Sequence, residues 1–231
     1  MLDQAFEKLQ NYQWGDDRAA LDPIDEAIVA TQHHAAGRED LEDRMIRVLK
    51  SDATRNGKDY VCRKLKVIGT EASVPALAAM LSDPDHAHMA RYALESQPHP
   101  AAGKALRNAL PNLTGKLKIG VIGSLGVRQD QQSVPTLAKL VADDDAAIAK
   151  SAARALAAIR TAEAANLLAN IEPNPEAAQA ATDALLACAE SLLAAGDKAN
   201  ALMIYKRIAQ GNPAKHVKLA ATRGMLACAG T

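Results

Sequence analysis

The chain has 231 residues, 27 acidic and 27 basic side chains, 48% hydrophobic residues and only 3% aromatic residues. This hydrophobic content is sufficient for a continuous buried core, which argues against a disordered chain. The abundance of alanine and leucine, with few aromatic residues, favours closely packed helices and argues against a β-sandwich or barrel. A net charge of zero argues against a dedicated nucleic-acid binder. We therefore predict an all-α protein.

The first predicted segment, residues 1–50, carries most of the negative charge. Residues 1–43 hold eleven acidic and three basic side chains, together with Phe6, Tyr12 and Trp14, three of the six aromatic residues. The opening sequence MLDQAFEKLQ is acidic and amphipathic, unlike a signal peptide. A repeat array needs a terminal cap with a polar outer face. We interpret this segment as acidic N-terminal capping helices.

Residues 51–173 contain a repeat of about 30 residues. VPALAAML, from Val74, returns as VPTLAKLV, from Val134. Leucines recur at intervals of 29, 31 and 30 residues in the predicted second helices, at Leu77, Leu106, Leu137 and Leu167. The predicted first helices have a similar series, formed by Leu65, Leu94, Ile122, Leu156 and Leu185. A period of this length indicates helix pairs that complete their cores only by stacking. We predict four such pairs, with the series of the second helices buried.

This repeat resembles HEAT repeats, in the short bacterial form related to phycobilin lyases. The resemblance depends on the Val-Pro-x-Leu sequences at Val74 and Val134 and on the acidic turns near Asp83 and Asp143. It implies an armadillo-like array, a right-handed α–α superhelix (a HEAT-like solenoid), and does not specify an activity. Asp-Pro and Asn-Pro pairs, glycines and the helical spacing of apolar residues between them predict about thirteen helices. The sequence Gln-Pro-His-Pro at 97–100 departs from the pattern, since the usual Ile-Gly ending is absent, so we expect a distorted turn there.

The last predicted segment, residues 174–231, has a longer period of 40 residues. AATDALLACA at 180–189 returns as AATRGMLACA at 220–229. The unit between these copies partly resembles a tetratricopeptide repeat at Gly196, Ala201, Tyr205 and Pro213. We predict that this segment is a longer helix pair plus an unpaired last helix, and that the whole chain is one continuous array.

The last helix raises a question about association. We expect it to start at Asn212-Pro213 and to run to about Ala229, with no second helix after it to cover its apolar side chains. Met225 and Leu226 should then be only partly covered. Such a patch normally marks an interface. The alternatives are that the chain is a fragment of a larger protein, or that it associates with itself or docks on another chain through this end.

Two sets of side chains are candidates for binding. His88, Arg91, Tyr92 and Glu95 share one predicted helical face, and exposed Arg and Tyr are favoured at binding hot spots. This set is a candidate protein-binding site; a salt-bridged surface stripe between repeats is the simpler alternative. The second set is a candidate basic strip on first helices two units apart, formed by Arg63, Lys66, Lys116 and Lys118.

Three other patterns give no site. The glycines of GVIGSLG, Gly120, Gly123 and Gly126, lack the spacing of a dinucleotide loop and are better explained by close helix packing. His86 and His88 point about 200° apart on a helix, so they do not share a metal. The cysteines Cys62, Cys188 and Cys228 lie far apart among apolar residues, which favours a packing role. We assign no catalytic, cofactor-binding or metal residues and expect no cofactor.

These observations favour a non-enzymatic protein-interaction or scaffolding module, with an unidentified protein or peptide partner, as a segment of a larger protein. A nucleic-acid- or phosphate-binding solenoid similar to HEAT-like DNA glycosylases is the first alternative; the scarcity of aromatic residues for base stacking counts against it. An accessory lyase-type enzyme is the second. No apolar run reaches the length of a membrane span, so we expect a soluble protein, cytoplasmic or periplasmic.

Overall fold

The computed structural model describes residues 1–211 and 213–230, and these residues form helices joined by short loops. Fourteen α-helices and four short 3-10 turns lie within this part of the chain, and it contains no β-strand. The all-α prediction is confirmed, with one α-helix more than the expected thirteen. The helices are α1 (Leu2–Leu9), α2 (Asp22–Ala30), α3 (Ala35–Lys50), α4 (Arg55–Ile68), α5 (Val74–Ala79), α6 (Ala87–Ser96), α7 (Pro100–Ala109), α8 (Gly115–Val127), α9 (Val134–Leu140), α10 (Ala146–Ile159), α11 (Ala162–Ala169), α12 (Ala178–Ala194), α13 (Lys198–Gln210) and α14 (Lys215–Ala229).

The helices divide between two compact units. Unit 1 is Met1–Leu113 and contains α1 to α7; unit 2 is Thr114–Thr231 and contains α8 to α14. The four predicted helix pairs correspond to α4 with α5, α6 with α7, α8 with α9, and α10 with α11. The first two pairs belong to unit 1 and the other two to unit 2.

In unit 1, the acidic N-terminal segment packs closely against the start of α4. Thr54 precedes α4, and its backbone N–H donates to the carbonyl oxygen of Gln10 at 2.9 Å, while its hydroxyl donates to that of Tyr12 at 2.6 Å. Gly57 has no room for a side chain, because a Cβ there would lie 2.3 Å from the carbonyl oxygen of Leu9. The loop after α1 is therefore held in place by the first turn of α4.

Two buried polar side chains join neighbouring elements of unit 1. Glu42 of α3 accepts hydrogen bonds from the backbone N–H and the hydroxyl of Thr70, at 2.7 and 2.8 Å. Gln97, in the turn between α6 and α7, donates through Nε2 to the carbonyl oxygen of Leu65 at 3.3 Å and to the hydroxyl of Ser73 at 3.1 Å. The departure at 97–100 thus places a buried amide against the preceding helix pair.

The two predicted series of apolar side chains are buried through most of the array. All members except the last one of each series are fully buried. These are Leu77, Leu106 and Leu137 in one series, and Leu65, Leu94, Ile122 and Leu156 in the other. The expected burial is wrong for Leu167, which is partly exposed; Leu185, the last member of the other series, is also partly exposed.

In α11 the buried leucine is Leu168, not Leu167. Thr161 caps this helix by accepting the backbone N–H of Ala164 at 3.1 Å, and Ala164 and Ala165 face the core with Leu168. Successive residues on a helix are about 100° apart. Leu168, one position after the expected Leu167, therefore points into the core.

The glycines of α8 allow close helix packing, as expected. A Cβ on Gly126 would lie 2.9 Å from the backbone Cα of Ala155 in α10, whereas a Cβ on Gly123 would meet no atom within 4 Å. Gly126 therefore sets the approach of α8 and α10 in unit 2. A nucleotide loop, the alternative for this motif, has no counterpart here because all three glycines lie inside one helix.

At the C-terminal side of unit 2, α14 packs on α13. The ring of Tyr205 is buried beneath Gly224, where an added Cβ would lie 2.3 Å from the ring. α14 begins at Lys215, two residues beyond Pro213; Asn212 lies outside the described residues. Met225 is partly covered and Leu226 is 70% exposed, as expected from the sequence.

Two of the three cysteines are core residues. Cys62 and Cys188 are fully buried, and burial raises the pKa of their thiols to about 12 and about 11. Cys228 is partly exposed. Buried thiols with raised pKa values are poor nucleophiles, which agrees with a packing role for Cys62 and Cys188.

Candidate functional site

The candidate protein-binding set lies on α6, which packs beside α4 in unit 1. The turn before α6 is stabilised by Asp83, whose carboxylate accepts the backbone N–H of Asp85 at 2.9 Å and lies 2.7 Å from Nδ1 of His86. Asp83 therefore stabilises this turn locally, while the N-cap residue of α6 is His86. His88 follows on the exposed side of the first turn of α6.

Arg91 occupies the centre of this set and contacts two of its members. Its guanidinium lies 3.5 Å from Nδ1 of His88 and 4.0 Å from the carboxylate of Glu95. Burial lowers the pKa of Arg91, and the negative charge of Glu95 opposes this shift. Only about a fifth of the Arg91 and Glu95 side chains is exposed (18% and 21%). These contacts fit the stripe alternative for Arg91 and Glu95.

Tyr92, the fourth member, brings the two candidate sets together. The ammonium group of Lys66, on α4, lies 3.8 Å above the centroid of the Tyr92 ring, within cation–π range. Hydrogen bonding and the charge of Lys66 lower the pKa of Tyr92, and Arg63 adds to this effect. The candidate protein-binding set and one half of the basic strip therefore form one surface.

Arg63 extends this surface to an aromatic side chain from the N-terminal segment. Its guanidinium carbon lies 5.7 Å from the ring centroid of Trp14, which is 49% exposed. The edge-to-face contact of Trp14 with Tyr12, at 5.4 Å between centroids, fixes the indole in place. We call the set of Trp14, Arg63, Lys66 and Tyr92 the basic–aromatic face.

A cavity of about 350 Å3, which we call the Trp14 cavity, opens beside this face. Its lining residues are Trp14, Arg18, Tyr60, Arg63 and Lys64. The Lys64 ammonium lies 4.7 Å above the ring of Tyr60 and 2.5 Å from the Asp25 carboxylate.

Asp25 is an acidic residue that contacts three of the residues lining the Trp14 cavity. Besides Lys64, it pairs with Arg18 at 3.3 Å and accepts the hydroxyl of Tyr60 at 3.0 Å. Burial and the nearby carboxylate raise the pKa of Tyr60. The phenol is therefore a fixed donor to Asp25. Sequence reasoning did not identify Trp14, Arg18 or Lys64 as site residues. Residues 44–70 hold eight basic and two acidic side chains, and this bias was a signal for part of the cluster.

The other half of the basic strip lies in unit 2. Lys116 and Lys118 are in the first turn of α8, the first helix of the third pair, whereas Arg63 and Lys66 are in α4. Lys116 is exposed, and Lys118 lies 3.9 Å from the carboxylate of Asp143. The four residues thus occupy the first helices that were expected, and Lys118 has an acidic neighbour of its own.

Unit 2 has a cavity of its own. A cavity of about 510 Å3 beside α11 and α13 has apolar and cationic lining residues such as Met203, Lys206 and Arg207. Within the described residues there is no group of three or more His, Cys, Asp or Glu side chains with metal-binding geometry, and no helix long and apolar enough to cross a membrane.

Comparison with known proteins gives a family match. Residues 103–186 match the family model for HEAT repeats, a segment that runs from α7 into α12. Among solved structures, a designed armadillo repeat protein is similar at 14% sequence identity and a TM-score of 0.45, with 99% of this chain and 100% of that chain covered. No curated protein matches the sequence. The chain is an all-α protein, and its residues 103–186 are similar to HEAT repeats.

Proposed function

We propose that this protein is a non-enzymatic interaction module and that unit 1 binds an acidic segment of a partner protein across the basic–aromatic face. Helical repeat arrays commonly present extended surfaces for protein binding. The observation that carries the proposal is the arrangement of Arg63 and Lys66, each stacked against a partly exposed aromatic ring.

The two cations of this face are available for a partner. Among the described residues, no carboxylate lies within ion-pair distance of Arg63 or Lys66, whereas Lys64, their neighbour on α4, is paired with Asp25. Contact with an aromatic ring keeps a cation in place without neutralising it. An acidic segment would therefore find two positive charges already positioned for it.

The aromatic rings give this face the composition of a binding hot spot. Trp, Tyr and Arg are the residues most enriched where a few side chains dominate binding energy, and the face contains one of each. Complementary charge on the partner would speed association and select against basic segments. His88 lies at the edge of this face, one turn of α6 before Tyr92.

Binding of nucleic acid through the same cations is the second candidate function. Arg63 and Lys66 suit phosphate contacts, and Trp14 and Tyr92 offer rings on which bases stack. Because it has only two such rings, the face could stack one or two bases, and it does not offer the extended groove that binds a longer single strand. A nucleic-acid complex would also lose affinity steeply as salt rises, because each phosphate contact releases counterions.

The test compares a fluorescent peptide rich in Asp and Glu with a single-stranded DNA of similar length. We expect the peptide to bind, and the double variant Arg63→Ala/Lys66→Ala to weaken it about tenfold or more, since each lost charge contact is worth on the order of 1 kcal/mol. Lys116→Ala, an exposed lysine of α8 in unit 2, is the matched control and should bind like the parent. Absence of peptide binding at low salt would rule out the proposal, and tighter, steeply salt-dependent DNA binding would favour the second candidate.

A further inference from the structure

We propose that the Trp14 cavity binds a phosphate monoester carried on an aromatic ring, as in a phosphotyrosine side chain of the acidic segment. This inference rests on the proposed function, because the cavity shares Trp14 and Arg63 with the basic–aromatic face. It adds a specific site within that face, and a way in which phosphorylation of the partner would control binding.

The cationic groups of the cavity exceed its acidic groups. Arg18, Arg63 and Lys64 line it, and Asp25 is the carboxylate paired with two of them, Arg18 and Lys64. The Arg18 side chain is 68% exposed and holds Asp25 through one nitrogen at 3.3 Å, so other donors of its guanidinium face solvent. Two guanidinium groups, Arg18 and Arg63, are thus available to a ligand at one opening.

Two guanidinium groups favour a phosphate group over a carboxylate. Each presents parallel N–H donors that match the oxygens of a phosphate group. A phosphate monoester carries a charge of about −1.5 to −2 at pH 7 and three acceptor oxygens, whereas a carboxylate carries one charge and two oxygens. The phosphate therefore uses both arginines at once.

The aromatic lining of the cavity explains why we expect the ligand to carry an aromatic ring. Trp14 is half exposed and its ring is in edge-to-face contact with Tyr12, so an incoming ring can stack on an indole that is already positioned. Tyr60 also lines the cavity, and its hydroxyl donates to Asp25. The volume of about 350 Å3 lies within the range of sites for small ligands.

Asp16 and Asp17, which follow Trp14 in the sequence, make hydrogen bonds to backbone groups outside the Trp14 cavity. The carboxylate of Asp16 accepts the backbone N–H of Gln13 at 2.8 Å, and that of Asp17 accepts the backbone N–H of Ala19 at 3.0 Å. Both residues line a separate depression next to Tyr12. Neither residue lines the Trp14 cavity, whose lining side chains therefore keep an excess of positive charge.

Trp14 is the only tryptophan in the chain, so its fluorescence reports directly on this cavity. Three probes are titrated: an acidic peptide with one tyrosine, the same peptide with phosphotyrosine, and phenyl phosphate alone. We expect the phosphorylated peptide to bind about tenfold or more tightly than the unmodified one, as two added charge-assisted contacts would give, and to change the Trp14 emission. Phenyl phosphate should produce the same change at higher concentration.

Matched variants separate the cavity from the rest of the face. Arg18→Gln and Arg63→Gln should reduce the preference for the phosphorylated peptide towards unity. Lys66→Gln should weaken both peptides while the preference remains, since Lys66 contacts Tyr92 and does not line the cavity. All three side chains lie at the surface or its edge, and folding of each variant is checked by circular dichroism.

The outcomes distinguish the inference from the function on which it rests. Equal binding of the two peptides, or tighter binding with no change at Trp14, would overturn the inference and leave the acidic-partner proposal standing. Inorganic phosphate that binds as well as phenyl phosphate would overturn the role of the ring. A Trp14 response to phenyl phosphate without binding of either peptide would support the cavity as a site for a free ligand and overturn the proposed function.

Discussion

Two glycines of one helix illustrate how single residues control packing in unit 2. Both lie in α8, but only Gly126 contacts the backbone of α10, at Ala155. We expect Gly126→Ala to lower the free energy of unfolding by about 1–3 kcal/mol, because the added methyl must push two helices apart. Gly123→Ala should raise it by up to about 1 kcal/mol, since alanine is the better helix former. Urea unfolding measures both, and equal effects would contradict the close approach of α8 and α10.

Asp59, on α4, gives stability a dependence on pH. Burial raises the pKa of its carboxyl, although the positive charges of Arg55 and Arg63 oppose the shift. A carboxyl whose pKa is higher in the folded state binds more protons when folded, so stability falls as pH rises through the interval between the two pKa values. The charged form is therefore the destabilising one at neutral pH.

The corresponding prediction concerns Asp59→Asn. This variant should be more stable than the parent at pH 7, and the difference should disappear below about pH 4, where the carboxyl is protonated in both states. Thermal unfolding at a series of pH values measures this difference. Asp43→Asn, at an exposed position of α3, is the control and should show no comparable gain. A loss of stability at pH 7 in Asp59→Asn would contradict the prediction.

At the scale of elements, the repeat can be tested through the leucines of the second helices. Leu137→Ala and Leu168→Ala each remove a buried side chain and should cost about 2–5 kcal/mol of unfolding free energy. Leu167→Ala removes a partly exposed one and should cost clearly less. Thermal or urea unfolding of the three variants provides the comparison. If Leu167→Ala lowers the free energy of unfolding as much as Leu168→Ala, Leu167 is the core residue of α11, as the repeat period predicted, and the burial of Leu168 in its place is contradicted.

The turn at 97–100, where the sequence departs from the repeat, forms a polar link to the preceding helix pair. The family pattern predicted only that this turn would be distorted. In the structure, Gln97 extends its amide into the preceding pair, close to Gly69, where an added Cβ would lie 2.3 Å from the amide nitrogen. Glu42 has a related role on Thr70. Polar side chains thus join successive elements of unit 1.

At the scale of the whole molecule, we propose that the outer face of α14 contributes to association. Leu219 and Leu226 are seven residues apart on one side of this helix, and both are more than half exposed. Met225, next to them, is partly covered. Exposed apolar side chains that share a helix face are typical of interfaces.

The prediction is that Leu226→Lys reduces self-association. Light scattering across a concentration series should show a smaller increase in apparent mass for the variant than for the parent, and less binding of an apolar dye. Val29→Lys is the control, because Val29 is as exposed as Leu226 (71% against 70%) but lies on α2 in unit 1. A parent protein that stays monomeric and binds no dye would remove the basis for this proposal.

The amino-acid sequence by itself determined the all-α class, the period of the helix pairs and most of their buried positions. These features depend on local properties: helix propensity, the spacing of apolar residues within one or two turns, and glycines that permit close packing. Leu77, Leu106 and Leu137 followed directly from that spacing and are all fully buried.

Only the tertiary structure decided the rotation of α11 and the composition of the candidate site. Burial of Leu168 in place of its neighbour depends on how a short, capped helix packs on others, which no local pattern specifies. Trp14 belongs to a loop far from Arg63 in the sequence, and Tyr92 to a different helix from Lys66. Their contacts arise because α4 packs against both the N-terminal segment and α6, and long-range packing of this kind is set by the complete core and not by any one segment.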